Sequence, residues 1–219
     1  MSQITNKEKL FKAYLDRIQI ELNFTYMHFV VLKTIDDVAE RYQPELQVGS
    51  EFWGLARQSQ FFDVMIRLNK ICDNHPNAVS IFSLLEFAEM NLDIFSEDNF
   101  MRRNPYSSYD DLTRISKKLL ESHKKKYENF PQSNLKRLRN KVLAHMDKET
   151  VEQNHYPFEK WAVEIQEMEH LINNLVKTIN LLAMAFERSR FLPGNNFVEK
   201  GMFDTMELIR LGLSERKEN

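Results

Sequence analysis

The sequence predicts an all-α protein, and three observations point to that class. Only five glycines and six prolines occur in 219 residues, whereas average usage would give roughly fifteen glycines alone. Because these residues mark hairpins and tight turns, their scarcity favours a few long helices. Apolar residues also recur at spacings of three and four, which is the helical period. Finally, neither GxGxxG nor GxxxxGK[ST] is present, so dinucleotide-binding and P-loop folds are disfavoured.

Composition excludes several classes of protein. With 42% apolar residues the chain can bury a core, unlike a disordered tail. Its single cysteine, Cys72, allows no internal disulfide. No apolar run approaches the roughly 20 residues that span a bilayer, and the polar N-terminus lacks the apolar segment of a signal peptide. We therefore expect a cytoplasmic protein without a membrane partner.

Helical spacing and cap residues predict the elements of the N-terminal half. The predicted helices run from Thr5 toward Pro44, from Ser50 to the turn Asn74-His75-Pro76, and, after the opening residue Ser80, from Ile81 to Met90. The first is compatible with one long helix or with two helices that break near Asn23. Residues 92–109 show no clear period, so we expect a loop there.

The C-terminal half contains the most regular pattern. One helix is predicted from Asp110 to Pro131, and the next begins at Ser133. An unbroken heptad repeat then marks the seam of a bundle: Trp161, Ile165, Met168, Ile172, Leu175, Ile179, Leu182 and Phe186. Pro193-Gly194 ends this helix, and a last one covers residues 197–213. The sequence thus predicts about six to seven helices in a single domain, 1–219.

Positive charge is concentrated in the middle of the chain. Residues 101–148 contain 13 Lys/Arg and 5 Asp/Glu, although the whole chain has a net charge of −2. Such a strip is typical of a nucleic-acid surface or of solvated helix faces, and charge alone favours the second interpretation. The candidate RNA contacts within it are Lys124, Lys125, Lys136 and Arg137.

The segment 139–147, RNKVLAHMD, carries the most informative chemistry. On a helix, Arg139 and His145 would lie about 60° to either side of Val142, the centre of an apolar stripe. A guanidinium offers phosphate oxygens a planar fork, and an imidazole moves protons near neutral pH. Together they could cleave RNA without a metal, because the ribose 2′-hydroxyl supplies the nucleophile.

RNKVLAH resembles the R-x(4–6)-H motif of the HEPN superfamily (higher eukaryote and prokaryote nucleotide-binding domains). Asp147, which gives A-H-x-D, also resembles the abortive-infection branch of that superfamily. The resemblance implies a HEPN-like helical bundle, often a homodimer whose motif helices face each other. It also implies a metal-independent endoribonuclease of a phage-defence or toxin type. It assigns catalytic roles to Arg139 and His145, and supporting roles to Asn140, Lys141 and Asp147.

Partners and alternatives follow from the same resemblance. RNA is the expected substrate, a second copy the expected partner, and an antitoxin protein a further candidate. We expect no cofactor and no metal, because the pairs Glu152/His155 and Glu167/His170 are not placed to point into a bundle, and Cys72 has no second cysteine for zinc. The alternatives are a non-catalytic HEPN module that binds nucleotide, RNA or a partner protein, and a purely structural scaffold that assembles through the heptad seam.

Overall fold

Helices form all the regular secondary structure in the residues that the computed structural model describes, which are 4–130, 133–138, 140, 163–194 and 196–218. The α-helices in these ranges are α1 (Asn6–Arg41), α2 (Gln43–Gln47), α3 (Ser50–Ile71), α4 (Ile81–Met90), α5 (Glu97–Arg103), α6 (Lys117–Lys124), α7 (Asn134–Leu138), α8 (Ile165–Glu187) and α9 (Asn196–Glu218). Seven of these have seven residues or more. The predicted all-α class and the predicted number of about six to seven helices are confirmed.

Helix α1 is a single helix of 36 residues that does not break at Asn23. Its start is fixed by a reciprocal capping box. The Thr5 N–H donates to Glu8 Oε2 at 2.8 Å, and the Glu8 N–H donates to Thr5 Oγ1 at 3.3 Å. Helix α4 begins in the same way after Ser80, and its bounds are the predicted ones.

The predicted loop at 92–109 was wrong over most of its length. A 3-10 turn spans Leu92–Phe95, and α5 follows it. Ser96 caps α5 by accepting from the Asn99 N–H at 3.4 Å, and Phe100 anchors the helix in the core. A helix this short buries too few side chains to produce a visible period, which explains the error.

Two predicted helix boundaries were also wrong. The helix expected from Asp110 begins at Lys117 instead, because Ser116 is its N-cap and accepts from the Leu119 N–H at 3.3 Å. The heptad helix α8 ends at Glu187 rather than at Pro193-Gly194. The next residue, Arg188, adopts the left-handed conformation (φ 55°) that commonly ends a helix.

Contacts divide the chain into two compact units. One comprises Met1–Leu22 with Arg67–Leu192, and the other comprises Asn23–Ile66 with Pro193–Asn219. That the chain forms a single domain stays a prediction.

In the first unit, the α8 seam supplies much of the core. Its described members from the second turn onward are buried: Met168, Ile172, Leu175, Ile179, Leu182 and Phe186. Trp161, the first residue of the repeat, lies outside the described residues. Phe11 of α1 packs its ring against Phe186 and, edge-on, against Phe95. The heptad therefore marks a buried face, as predicted.

The second unit has a smaller core, centred on residues of α1 and α9. Val38, Tyr42 and Met206 are buried there, and the partly buried residues packed against them are Leu46, Trp53, Phe203 and Ile209. The Arg210 guanidinium donates to Glu45 at 2.8 Å and lies over the Tyr42 ring, 4.3 Å from its centre. In the described part of the chain, no helix is long and apolar enough to cross a membrane.

Candidate functional site

The predicted catalytic motif lies almost wholly outside the described residues. Arg139, Lys141, His145 and Asp147 all fall there, so their roles stay predictions. Asn140 is described, and its side chain is exposed. The structure therefore informs on the helix that leads into the motif and on the surface around it.

Helix α7, which leads into the motif, is anchored against the end of α3. Leu135 and Leu138 are buried, and the Leu135 carbonyl lies 3.5 Å from Asn69 Nδ2 of α3. Ser133 caps α7 by accepting from the Lys136 N–H at 3.2 Å. One face of α7 is thus packed, and the helix ends at Leu138, directly before Arg139 in the sequence.

The four predicted RNA contacts have different surroundings. They are Lys124, Lys125, Lys136 and Arg137. Lys124 Nζ donates to Glu86 at 2.9 Å, and Lys136 Nζ lies 3.9 Å from an oxygen of Asp73. The side chains of the other two are exposed. Their proposed contact with RNA stays a prediction, and the two carboxylates reduce the local positive charge.

A buried hydrogen-bond network, which the sequence did not reveal, joins α6 to α8. His123 is 9% exposed, and its Nδ1 lies 2.7 Å from Thr178 Oγ1. The Tyr127 hydroxyl donates to the Asn174 carbonyl at 2.9 Å and also lies 2.6 Å from Thr178 Oγ1. No motif surrounds His123. The only sequence signal was a threonine beside the apolar seam of α8.

This network favours a neutral His123. Lys126 Nζ lies 3.3 Å from His123 Nδ1. Burial lowers the pKa of His123, and the charge of Lys126 lowers it further. Burial also lowers the pKa of Lys126, and so does the nearby charge of Lys177.

The buried thiol of Cys72 interacts electrostatically with Lys136 of α7 and with Tyr127 of the hydrogen-bond network. Burial raises the pKa of this thiol, while the charge of Lys136 acts in the opposite direction. Burial also raises the pKa of Tyr127; the hydrogen bond with Thr178 opposes that effect and Cys72 adds to it. Cys72 is therefore the buried small apolar residue that the sequence predicted, and it lies directly after α3.

A second buried cluster of charges lies at the start of α1. Glu8 is 1% exposed and accepts from both Arg102 and Arg103 of α5. The Arg103 guanidinium also donates to the Phe186 carbonyl at 3.0 Å and lies 4.2 Å from the centre of that ring. Burial acts to raise the pKa of Glu8, but hydrogen bonds from Arg102, Thr5 and Arg103 outweigh it and lower the pKa to about 2.

A cavity of about 810 Å³ borders this charged cluster. Its lining combines apolar and charged side chains, namely Ile4, Glu8, Lys9, Lys12, Arg102, Arg103, Asn104, Pro105, Phe186 and Glu187. Lys12 is held by Asp16 and by Glu187, at 2.6 and 2.8 Å. The charged groups at the cavity wall are therefore largely engaged with one another, and they tie α1 to α5 and α8.

Among the residues that the structure describes, no group of three or more His, Cys, Asp or Glu is placed to hold a metal ion. On α8, Glu167 and His170 are both exposed while Met168 between them is buried. The prediction that His170 faces outward is therefore confirmed. Glu152 and His155 lie outside the described residues.

The all-α fold agrees with the resemblance to HEPN domains that RNKVLAH at 139–145 predicts. The chain belongs to the AbiU2 family, HEPN_AbiU2, whose family model matches residues 6–198. This match confirms the predicted resemblance, and its range includes the whole 139–147 segment. No curated protein and no solved structure matches the chain.

Proposed function

We propose that this chain is a metal-independent endoribonuclease that acts in phage defence or as a toxin. The observation that carries the proposal is the sequence RNKVLAH at 139–145, which lies inside the range matched by the AbiU2 family. The family supports a role in abortive infection. The motif supplies an imidazole that can transfer protons and a guanidinium that can bind phosphate, which are the groups that the proposed cleavage uses.

The proposed reaction is attack of a ribose 2′-oxygen on the adjacent phosphorus. The phosphorus–O5′ bond breaks, and the products are a 2′,3′-cyclic phosphate and a 5′-hydroxyl. His145 takes the 2′-hydroxyl proton or gives a proton to the departing 5′-oxygen. Arg139 stabilises the additional negative charge on the five-coordinate phosphorus through its planar fork. DNA lacks the nucleophile, so single-stranded DNA should resist cleavage.

A composite site at a homodimer interface fits this chemistry. A proton leaves at the 2′-oxygen while another arrives at the 5′-oxygen, and these two atoms lie on opposite sides of the phosphorus. One imidazole cannot serve both positions at the same moment, whereas two copies would supply two histidines. We therefore propose that the motif segments of two chains form one active site.

The start of the motif segment is compatible with an RNA-facing role. Leu135 and Leu138 occupy the buried side of α7, while Arg137 and Asn140 are exposed. The packed side fixes α7 on the protein, and the exposed side presents the Arg137 guanidinium to solvent. A guanidinium suits contacts with phosphate and sugar, which position a nucleic acid without reading its sequence.

The test compares variants on one labelled single-stranded RNA, with DNA of the same sequence beside it. Wild-type protein should cleave the RNA and leave the DNA intact. His145→Ala should reduce the rate by about 10²–10⁴-fold, because it removes proton transfer. Arg139→Lys keeps the charge but loses the fork, so it should not restore full activity. His170→Ala is the matched control, since this exposed histidine lies outside the motif.

Three outcomes would count against the proposal. Wild-type protein that binds RNA but never cleaves it would favour the non-catalytic HEPN module. Cleavage by His145→Ala at the wild-type rate would exclude His145 as the proton-transfer group. An equal loss in His170→Ala would mean that the effect of His145→Ala is not specific to the motif.

A further inference from the structure

The lysines near α6 differ in whether a carboxylate neutralises them. Lys117 Nζ lies 2.9 Å from Glu89, and Lys124 Nζ lies 2.9 Å from Glu86. Lys126, on the turn that follows α6, has no carboxylate partner among the described residues. Its charge is therefore not balanced by a neighbouring carboxylate in the way that the charges of Lys117 and Lys124 are.

Lys126 and Lys177 both adjoin the buried contact between α6 and α8. Lys126 Nζ lies 3.3 Å from His123 Nδ1, and Thr178, the residue after Lys177, lies 2.7 Å from the same nitrogen. Both residues are exposed, although the Lys126 ammonium is partly desolvated where it contacts His123. Lys177, like Lys126, has no carboxylate partner within the described part of the chain.

The charge of Lys177 acts on Lys126 and lowers its pKa, and two such positive charges beside a neutral imidazole favour the arrival of an anion. Each ammonium raises the electrostatic energy of the other, and the buried His123 ring contributes no negative charge. An anion that bridges the two would remove this repulsion and gain two charge-assisted contacts. A phosphodiester suits this position, because it keeps its negative charge at every pH near neutrality and lysine binds phosphate as a point charge.

We infer that Lys126 and Lys177 form a phosphate-binding pair that holds the RNA backbone beside the motif segment. Lys126 lies four residues before Phe130, whose carbonyl accepts from the Ser133 N–H at 3.0 Å and from the Ser133 hydroxyl at 2.6 Å. Because Ser133 is the N-cap of α7, Lys126 lies close to the start of the helix that leads into the motif. The inference rests on the proposed ribonuclease function, since it assigns the backbone of that substrate to these two lysines.

The experiment measures binding of a 2′-O-methylated single-stranded RNA, which the proposed reaction cannot cleave. Fluorescence anisotropy gives the affinity over a series of salt concentrations. The double variant Lys126→Gln/Lys177→Gln should lower the slope of log affinity against log salt by about 1.4, since each phosphate contact to a single strand contributes about 0.7.

The control is the double variant Lys7→Gln/Lys117→Gln, which changes the net charge equally. Both control lysines lie near carboxylates, Lys7 at 3.7 Å from Asp93 and Lys117 at 2.9 Å from Glu89. Its slope should change by less than about 0.7, the value of one contact. Circular dichroism and thermal unfolding check that both double variants fold as the wild type does.

The outcomes separate this inference from the proposed function. An unchanged slope in Lys126→Gln/Lys177→Gln, or an equal change in the control, overturns the phosphate pair whatever the cleavage result. Absence of wild-type RNA binding overturns it as well. Wild-type protein that shows the expected slopes but leaves unmodified RNA intact contradicts the ribonuclease and supports the pair.

Discussion

Replacing Glu8 with glutamine should destabilise the chain by an amount that depends strongly on pH. The folded state lowers the pKa of Glu8 from 4.5 to about 2. Because one pKa unit corresponds to about 1.4 kcal/mol, the ionised carboxylate contributes about 3 kcal/mol to the free energy of unfolding near neutral pH. Arg102 and Arg103 donate to this carboxylate, and Arg103 is itself largely buried.

The sign follows from the direction of the shift. A carboxyl group whose pKa is lower in the folded state stabilises that state at every pH above its unfolded value. The contribution of Glu8 should therefore be complete above about pH 5 and should be lost as the pH falls toward about 2. Near the lower limit, Glu8→Gln and the wild type should have similar free energies of unfolding.

Urea unfolding followed by circular dichroism at a series of pH values measures this difference. Glu128→Gln is the control, since it removes an exposed carboxylate that makes no ion pair among the described residues. If the difference in the free energy of unfolding between wild type and Glu8→Gln stays constant from neutral to acidic pH, the predicted pH dependence is wrong. If Glu8→Gln does not fold at all, the acid dependence of the wild type alone still tests it.

Three further predictions concern packing and assembly. Thr178→Val should cost about 1–3 kcal/mol in urea unfolding, because the buried His123 and Tyr127 lose their shared partner; an unchanged midpoint would contradict the network. Cys72 should react with a thiol reagent only after denaturation, since burial raises its pKa and shields it; rapid labelling of the native protein would contradict this. Sedimentation should show about twice the chain mass of 26.1 kDa, and Val142→Asp should yield monomers, since burying an unpaired charge costs several kcal/mol. A wild-type monomer that cleaves RNA would contradict the composite site.

Local signals in the sequence were sufficient to predict several elements of the fold. Ser80 follows a turn and precedes an apolar run, and it caps α4 as predicted. The regular heptad repeat correctly predicted which face of α8 is buried. In contrast, Asp110 and Ser116 are both N-cap residue types close together in sequence. Only packing decides which of them begins the helix, so the sequence prediction chose the wrong one.

The buried polar contacts could not be predicted, because they join residues far apart in sequence. Glu8 of α1 pairs with Arg102 and Arg103 of α5, more than 90 residues further along the chain. His123 of α6 contacts Thr178 of α8, 55 residues further along. Periodicity describes one helix at a time and carries no information on such pairs. The proposed catalytic motif is the opposite case, since its spacing is local and the prediction of Arg139 and His145 rests on the sequence alone.

The central claim is tested most directly by the ends of the RNA that the protein produces in the presence of EDTA. Wild-type protein should give fragments with 2′,3′-cyclic phosphate and 5′-hydroxyl ends, and His145→Ala should give them about 10²–10⁴-fold more slowly. Cleavage that disappears with EDTA and returns with Mg²⁺ or Mn²⁺, or that leaves 5′-phosphate ends, would contradict attack by the 2′-hydroxyl at a metal-independent Arg139/His145 site.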